Sequence, residues 1–344
     1  MATRIGGDVL ALPTRPRLAG RAAVGGKTEG EGPLGGLFDA IFPEADMGTD
    51  SWEKAETQLQ QEAIRRAMER AGCEPAQVQL LFGGDLINQC TATSFALRAF
   101  GIPLAGLYSA CATFALGIGM AALSLDGGGF ERVMAAGSSH FCSAEKQFRF
   151  PLEYGGMPTP TAQRTATAAS AIVLEGGGAQ NNRGVCVEQI IFGRVNDLGV
   201  ADPNEMGAAM APAAADTILR FLRDTGTEPS ALDCILTGDL GQIGSQLLLE
   251  LARSEGGFEL RGVHRDGGML LYDTARQNAG VGGSGIGCSA AVLCADILPR
   301  LERGEWKRVL YVGTGALLSA ISPLQAESIP AIAHGVVFAA NQDS

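Results

Sequence analysis

A twelve-residue segment in the first half of this chain has a counterpart in the second. Pro75-Ala-Gln-Val-Gln-Leu-Leu-Phe-Gly-Gly-Asp85-Leu86 is matched by Pro229-Ser-Ala-Leu-Asp-Cys-Ile-Leu-Thr-Gly-Asp239-Leu240, with Pro on Pro and Asp on Asp. Each copy reads as an apolar strand ending on a Gly-Asp-Leu turn, and each follows a helical pattern, Ser51 to Ala71 and Ala213 to Thr225. In the first of these Ala55, Leu59, Ala63 and Ala67 share one face, and Asp50 with Glu53 has the spacing of a capping box. The order continues beyond the repeat. Cys111 to Leu125 followed by Phe130 to Gly137 parallels Cys288 to Leu301 followed by Trp306 to Gly313: an apolar helix, a Gly-containing turn, and a strand running into small residues. Each half closes on one more apolar strand, Ala168 to Leu174 and Ile332 to Phe338. Two such series predict an α/β fold with predominantly parallel sheets covered by helices on both faces. The halves divide as residues 1–178 and 179–344. Chance likeness between apolar strands is the alternative; the shared Pro-to-Asp spacing and element order favour duplication.

Size and charge narrow the functions open to such a fold. The chain has 344 residues, 46% hydrophobic and 18% charged, ample for a large core. Its 48 Gly follow no collagen-like period, so they predict tight turns and close backbone approaches. A net charge of −11 argues against nucleic acid and anionic lipid headgroups as direct partners. Eight Cys occur (Cys73, Cys90, Cys111, Cys142, Cys186, Cys234, Cys288 and Cys294), none in a C-x-x-C pair, beside only three His. That pattern argues against zinc and for reduced, mostly buried thiols. The apolar run Val9 to Leu12 is broken by Pro13 and fits no secretory signal. No charge lies between Arg98 and Asp126, a stretch long enough to span a bilayer. Pro103, Gly106, Ser109, Gly117 and Gly119 interrupt it, however, and a buried strand, sharp turn and buried helix explain it better. A soluble, cytoplasmic-type protein without a transmembrane segment is expected.

The turn in that stretch carries the most chemistry. Leu104 to Ser109 reads as a strand and Cys111 to Leu125 as the helix after it, joined by Ser109-Ala110-Cys111-Ala112. A Cys at a helix N-terminus meets free N–H groups and the positive end of the dipole, the setting of many Cys nucleophiles. A structural thiol that merely fits a crowded turn is the equal alternative.

Duplication with a Cys at such an elbow resembles the thiolase and ketoacyl-synthase superfamily, whose enzymes use the Cys for acyl transfer and take His and Asn, or two His, from the second half. This chain departs from that pattern. Gly238 and Asp239 stand where the His follows the repeated strand, and Gly-Ser-Gly-Ile-Gly-Cys288 where an Asn precedes the last helix. The acid–base partner and oxyanion donor of a condensation are thereby missing, and Cys111 reads as a relic nucleophile.

A set of blocks spread from Gly32 to Phe338 is more specific. Gly32-Pro-Leu-Gly-Gly-Leu-Phe-Asp39, Gly84-Asp-Leu-Ile-Asn-Gln89, Ser138-Ser-His140, Ala144-Glu-Lys-Gln-Phe-Arg149, Glu153-Tyr-Gly-Gly156, Asn196-Asp-Leu-Gly199, Ala209-Met-Ala-Pro-Ala-Ala-Ala-Asp-Thr217 and Ile332-Ala-His-Gly-Val-Val-Phe338 together resemble the stage V sporulation protein AD family. The resemblance implies a thiolase-like αβαβα sandwich of two duplicated five-stranded halves, dimerising by edge strands. It also implies a non-catalytic component of the spore machinery that moves dipicolinic acid, binding that ligand with calcium as its companion and needing no other cofactor. Membrane-embedded stage V sporulation A (SpoVA) proteins would be its partners, and the inner spore membrane its peripheral location. An acyl-transferring condensing enzyme and a structural scaffold for membrane proteins are the competing readings.

Dipicolinate is a flat aromatic dianion, so its site needs an apolar slot and a few donors. The candidates are the elbow N–H groups at Cys111, Ser139 and His140 at one strand end, His334 on the last strand, Asp85 and Asn88 at the end of the first repeated strand, Asp239 at the end of the second, and Arg149. Each has a structural alternative. A strand His is often a satisfied core group, the repeated Asp residues suit turn capping, and Arg149 could anchor Glu153 as well as a carboxylate.

Overall fold

Ten strands, nine of them largely apolar or small in sequence, form the core sheets of this computed structural model, which describes residues 1–150, 152–176 and 184–341. In the first half they are β1 (Arg17–Gly26), β2 (Leu80–Gly84), β3 (Leu104–Gly106), β4 (Arg132–Ser139) and β5 (Ala168–Glu175). In the second they are β6 (Gly184–Ile191), β7 (Cys234–Thr237), β8 (His264–Asp266), β9 (Arg308–Ala316) and β10 (Ala331–Asn341). The first five lie side by side as β3-β2-β4-β5-β1, and the second five as β8-β7-β9-β10-β6, the same order shifted by one half. One pairing, Arg17 with Cys186, joins the two sets. The duplicated strands β2 and β7 thus hold equivalent places.

The sheets are less parallel than the strand–helix series predicts. β2 pairs parallel with β3 and β4, and β7 with β8 and β9. But β5 is antiparallel to both β4 and β1, and β10 to both β9 and β6. Among the described residues no long helix separates β4 from β5 or β9 from β10. Without a crossover helix to carry the chain back to its starting end, the next strand returns antiparallel.

Helices complete five layers. α1 (Trp52–Ala71) covers the outer face of the first sheet, with Ala55, Leu59, Ala63 and Ala67 buried against it. Its N-cap is Ser51, whose Oγ accepts the Lys54 N–H at 3.3 Å, while Asp50 pairs with Lys54 instead of capping. α2 (Thr113–Asp126) lies between the sheets, touching β2 and β4 on one side and β9 and β10 on the other. That position explains why no charge precedes its last residue, Asp126: a helix walled in on all sides is apolar all round. No helix among the described residues is long and apolar enough to cross a membrane. α3 (Phe141–Phe148) follows β4. α4 (Met206–Thr225) covers the outer face of the second sheet, and α5 (Gly241–Gly256) packs on α4. α6 runs from Ile286–Val292 through a π-helical turn, Leu293–Ile297, into Leu298–Glu302, and is the second central helix.

Two details bear on the division into halves. Residues 177–183, which contain the expected 178/179 boundary, lie outside the described residues. The chain's first strands, Thr3–Ile5 and Val9–Ala11, form a hairpin that pairs with β6 of the second half. Asp8 at its turn pairs with Arg194 and Arg220 there. The N-terminus therefore reinforces the opposite half.

Candidate functional site

Between β3 and α2 the backbone makes the elbow. Ala110 sits at φ 46, a left-handed conformation that costs an L-residue with a Cβ. Thr113 holds the turn: its Oγ1 donates to Ala110 O at 2.6 Å and accepts the Ser109 N–H at 2.9 Å. Cys111 stands at the apex, two residues ahead of the helix and not within it, and is buried. β9 passes so close that a Cβ on Gly315 would run into Ser109 O and stand 3.0 Å from Ala112 N. The second sheet thus fixes a turn that belongs to the first.

Opposite Cys111 is Asp239, at the end of the duplicated strand β7. Thr314 Oγ1 donates to its Oδ1 at 2.7 Å, the Gly285 N–H to its Oδ2 at 2.8 Å, and the Ser284 hydroxyl to Oδ2 at 3.2 Å. The Cys111 thiol faces the same carboxyl. Burial, and then Asp239, hold the Cys111 thiol well above its ordinary pKa. Burial also raises Asp239, against its hydrogen bonds. A nucleophilic Cys needs the reverse, a cation or imidazole that favours thiolate. None of the chain's three His lines the cavity at this thiol. The elbow is built, but its sulfur is held protonated.

The cavity over Cys111 is bounded by Tyr108, Glu145, Phe148, Arg149, Thr165 and Ser284, among others, and encloses about 40 Å³, room for a few waters. Its cation is Arg149, whose side chain is only 6% exposed. The partner is Glu145, one turn back on α3, and not Glu153: Nε donates to Glu145 Oε2 at 2.8 Å, and Nη2 to Glu145 Oε1 and to Gln163 O, the latter at 2.9 Å. Nη1 is buried without a hydrogen-bond partner. Cys111, Asp239 and Arg149 are therefore the sequence candidates that the fold brings to one place.

The others serve the frame. His334 Nδ1 accepts the Gly193 N–H at 3.1 Å, which leaves Nε2 to donate to Ser109 Oγ at 2.9 Å. Both ring nitrogens are used, and His334 backs the elbow through Ser109 without lining the cavity. Burial lowers its pKa to about 4. His140 caps α3: Nδ1 accepts the Cys142 N–H at 3.1 Å, Nε2 meets Ala45 O at 2.8 Å, and the ring stacks on Trp52. Ser139 donates to Ala166 O at 2.7 Å and accepts the Gly287 N–H at 3.0 Å, so it braces the start of α6. Asp85 accepts the Ile87 N–H and both the N–H and Oγ1 of Thr93, fastening the helix Thr91–Leu97. Asn88 meets Gln147 at the surface. The two repeated Asp residues have diverged: Asp85 binds its own loop, whereas Asp239 reaches across to Cys111. Glu145, Thr165, Ser284 and Thr314 escaped the sequence reading; only Glu145 carried a signal, its i,i+4 spacing to Arg149.

Among solved structures, the chain is similar to the cerulenin-bound OleA of Xanthomonas campestris, at 14% identity over 97% of each chain with a TM-score of 0.60. It is also similar to the 3-oxoacyl-[acyl-carrier-protein] synthase III of Aquifex aeolicus, at 13% identity, 94% of this chain, 99% of the other and a TM-score of 0.55. Identities this low establish the thiolase-like fold alone. At the level of sequence, the stage V sporulation protein AD of Bacillus subtilis (strain 168) is 41% identical over 320 residues, 93% of this chain and 92% of that protein. The family model for stage V sporulation protein AD matches residues 6–339, from the N-terminal hairpin through almost all of β10. With the fold, the elbow and nearly the whole length accounted for, the chain belongs to the stage V sporulation protein AD family.

Proposed function

We propose that this protein is a ligand-binding, non-catalytic relative of the condensing enzymes that holds dipicolinic acid at the elbow cavity during sporulation. The observation that carries the reading is Arg149. A buried guanidinium whose Nη1 has no partner costs roughly 1–3 kcal/mol or more, and a ligand carboxylate meeting it removes that cost. The protonated Cys111 below offers no competing charge, and Tyr108, Phe148 and Leu318 give an aromatic ring apolar walls. The cavity is smaller than the ligand, so these walls must yield on binding. Calcium would enter with its ligand: no group of three or more His, Cys, Asp or Glu among the described residues is placed to hold a metal. In this role the protein works peripherally, beside membrane-embedded SpoVA partners.

Calorimetric titration with dipicolinate, with and without calcium, tests the reading. Saturable binding that is lost in Arg149→Met supports it. Absence of binding under both conditions overturns it. So does turnover of acyl thioesters at about 10 per second, the rate of a median enzyme, because that would restore Cys111 as a nucleophile.

A further inference from the structure

Beside the elbow cavity, on the far side of Glu145, lies a larger cleft of about 320 Å³ that the dipicolinate reading does not use. That volume is within the range of small-molecule sites, about 300 Å³ and upward. Its back wall is rigid. Gln163 bridges to Gly280, and Arg164–Thr165 pairs with Gly283–Ser284 as a short parallel ladder. Phe141, Leu152 and Met157 supply apolar surface.

Three polar atoms of residues lining this cleft are buried without a partner: Glu153 Oε2, Gln163 Oε1 and Arg164 Nε. Gln163 is itself 4% exposed, and its Nε2 is fixed by Asp239 O at 2.6 Å and Gly283 O at 2.8 Å. That leaves its carbonyl oxygen as the unmatched end. The Arg164 side chain makes no hydrogen bond or close ion pair among the described residues; it lies over the Phe141 ring, 4.4 Å from the centroid, with the buried carboxyl of Glu29 within reach of its charge. Glu145 also borders the cleft, but Arg149 already neutralises it.

The walls of the cleft therefore carry one carboxylate, one amide oxygen and one guanidinium, each with a buried atom that lacks a hydrogen-bond partner. A simple anion would satisfy Arg164 and leave two acceptors facing it. A lone cation would satisfy the acceptors and meet the charge of Arg164. We propose that this cleft binds a small zwitterion of the amino-acid class, its ammonium on Glu153 and Gln163, its carboxylate on Arg164, and its side chain against Phe141, Leu152 and Met157.

Titration of the full chain with L-leucine tests this, with isovalerate and isoamylamine as probes that each keep one of the two charges. L-leucine is expected to bind with a Kd of about 1 mM or tighter, and both half-probes at least about tenfold more weakly. Glu153→Gln and Arg164→Gln should each weaken L-leucine by roughly 10- to 150-fold, the loss of a hydrogen bond to a charged group, and leave dipicolinate binding unchanged. Where Arg164→Gln does not fold, Arg164→Lys keeps the charge but misplaces the donor and should still weaken binding. No saturation by L-leucine at about 10 mM, equal binding of a half-probe, or wild-type affinity in the folded variants overturns the proposal. Dipicolinate titrated separately reports on the elbow cavity, so failure of one site is distinguishable from failure of the other.

Discussion

Arg149 and His334 are both buried nitrogen-bearing side chains near the elbow, yet they belong to different problems. Arg149 keeps one nitrogen unmatched, whereas both nitrogens of His334 are committed to Ser109 and Gly193. Arg149→Met is therefore expected to weaken dipicolinate by roughly 10- to 150-fold, from a charged hydrogen bond worth about 1.5–3 kcal/mol. Calorimetry on a variant first checked for folding measures it, and unchanged affinity would place the ligand elsewhere. His334→Ala should act on stability instead, because it strands the Gly193 N–H and Ser109 hydroxyl in the core at roughly 1–3 kcal/mol for each. A normal denaturant midpoint with lost ligand affinity would reverse that assignment. Glu56 adds a pH dependence. Burial, and then the neighbouring Asp85, raise its pKa from 4.5 to about 8, although Ser138 and Ser143 donate to it. The folded state thus binds a proton that the unfolded state has released, so this contribution is full below pH 4.5 and is lost as pH rises to about 8. Glu56→Gln should accordingly gain stability relative to wild type between pH 5 and 8, as read from paired thermal melts. A constant difference across that range would mean that Glu56 is ionised throughout.

At the scale of elements, the elbow depends on the strand that crosses it. Gly315→Ala would push a methyl group into the Ser109 carbonyl, and overpacking of this kind costs about 1–3 kcal/mol. A lower Tm together with weaker dipicolinate binding is expected; a change in neither would show that the turn moves freely. The same crossing shows what was legible beforehand. Strand and helix order, the duplication and the Cys111 turn could be read because local period and punctuation encode them. The reversal of β5 and β10 could not, since apolar alternation carries no direction. Cys111 was expected to begin its helix, but the helix starts at Thr113 because the Thr side chain closes the turn first. Asp239 was legible as a repeated residue, whereas its partners Ser284 and Thr314 come from distant loops and strands that only the tertiary fold brings together. His334 drew attention by the rarity of His, and rarity says nothing about which way a side chain faces.

For the whole molecule, the open question is what covers the free edge of the first sheet. β3 pairs with β2 on one side, and no further strand joins it among the described residues. Around that edge Leu104 is 36% exposed, Phe95 42% and Tyr108 47%. An unpaired strand with apolar neighbours is a template for another strand. In a two-fold dimer the partner would be β3 of a second copy, running antiparallel and continuing the sheet across the axis. Sedimentation equilibrium at micromolar concentration is expected to give a dimer, and Leu104→Glu to give a folded monomer, since the axis would bring the two new carboxylates near each other. Tyr108 makes the consequence larger than assembly. It borders both this edge and the elbow cavity, so pairing would fix one wall of the ligand site. The monomeric variant should then bind dipicolinate more weakly, although Leu104 does not line the cavity. Wild type that sediments as a monomer would remove the dimer, and a monomeric variant with wild-type affinity would uncouple assembly from binding.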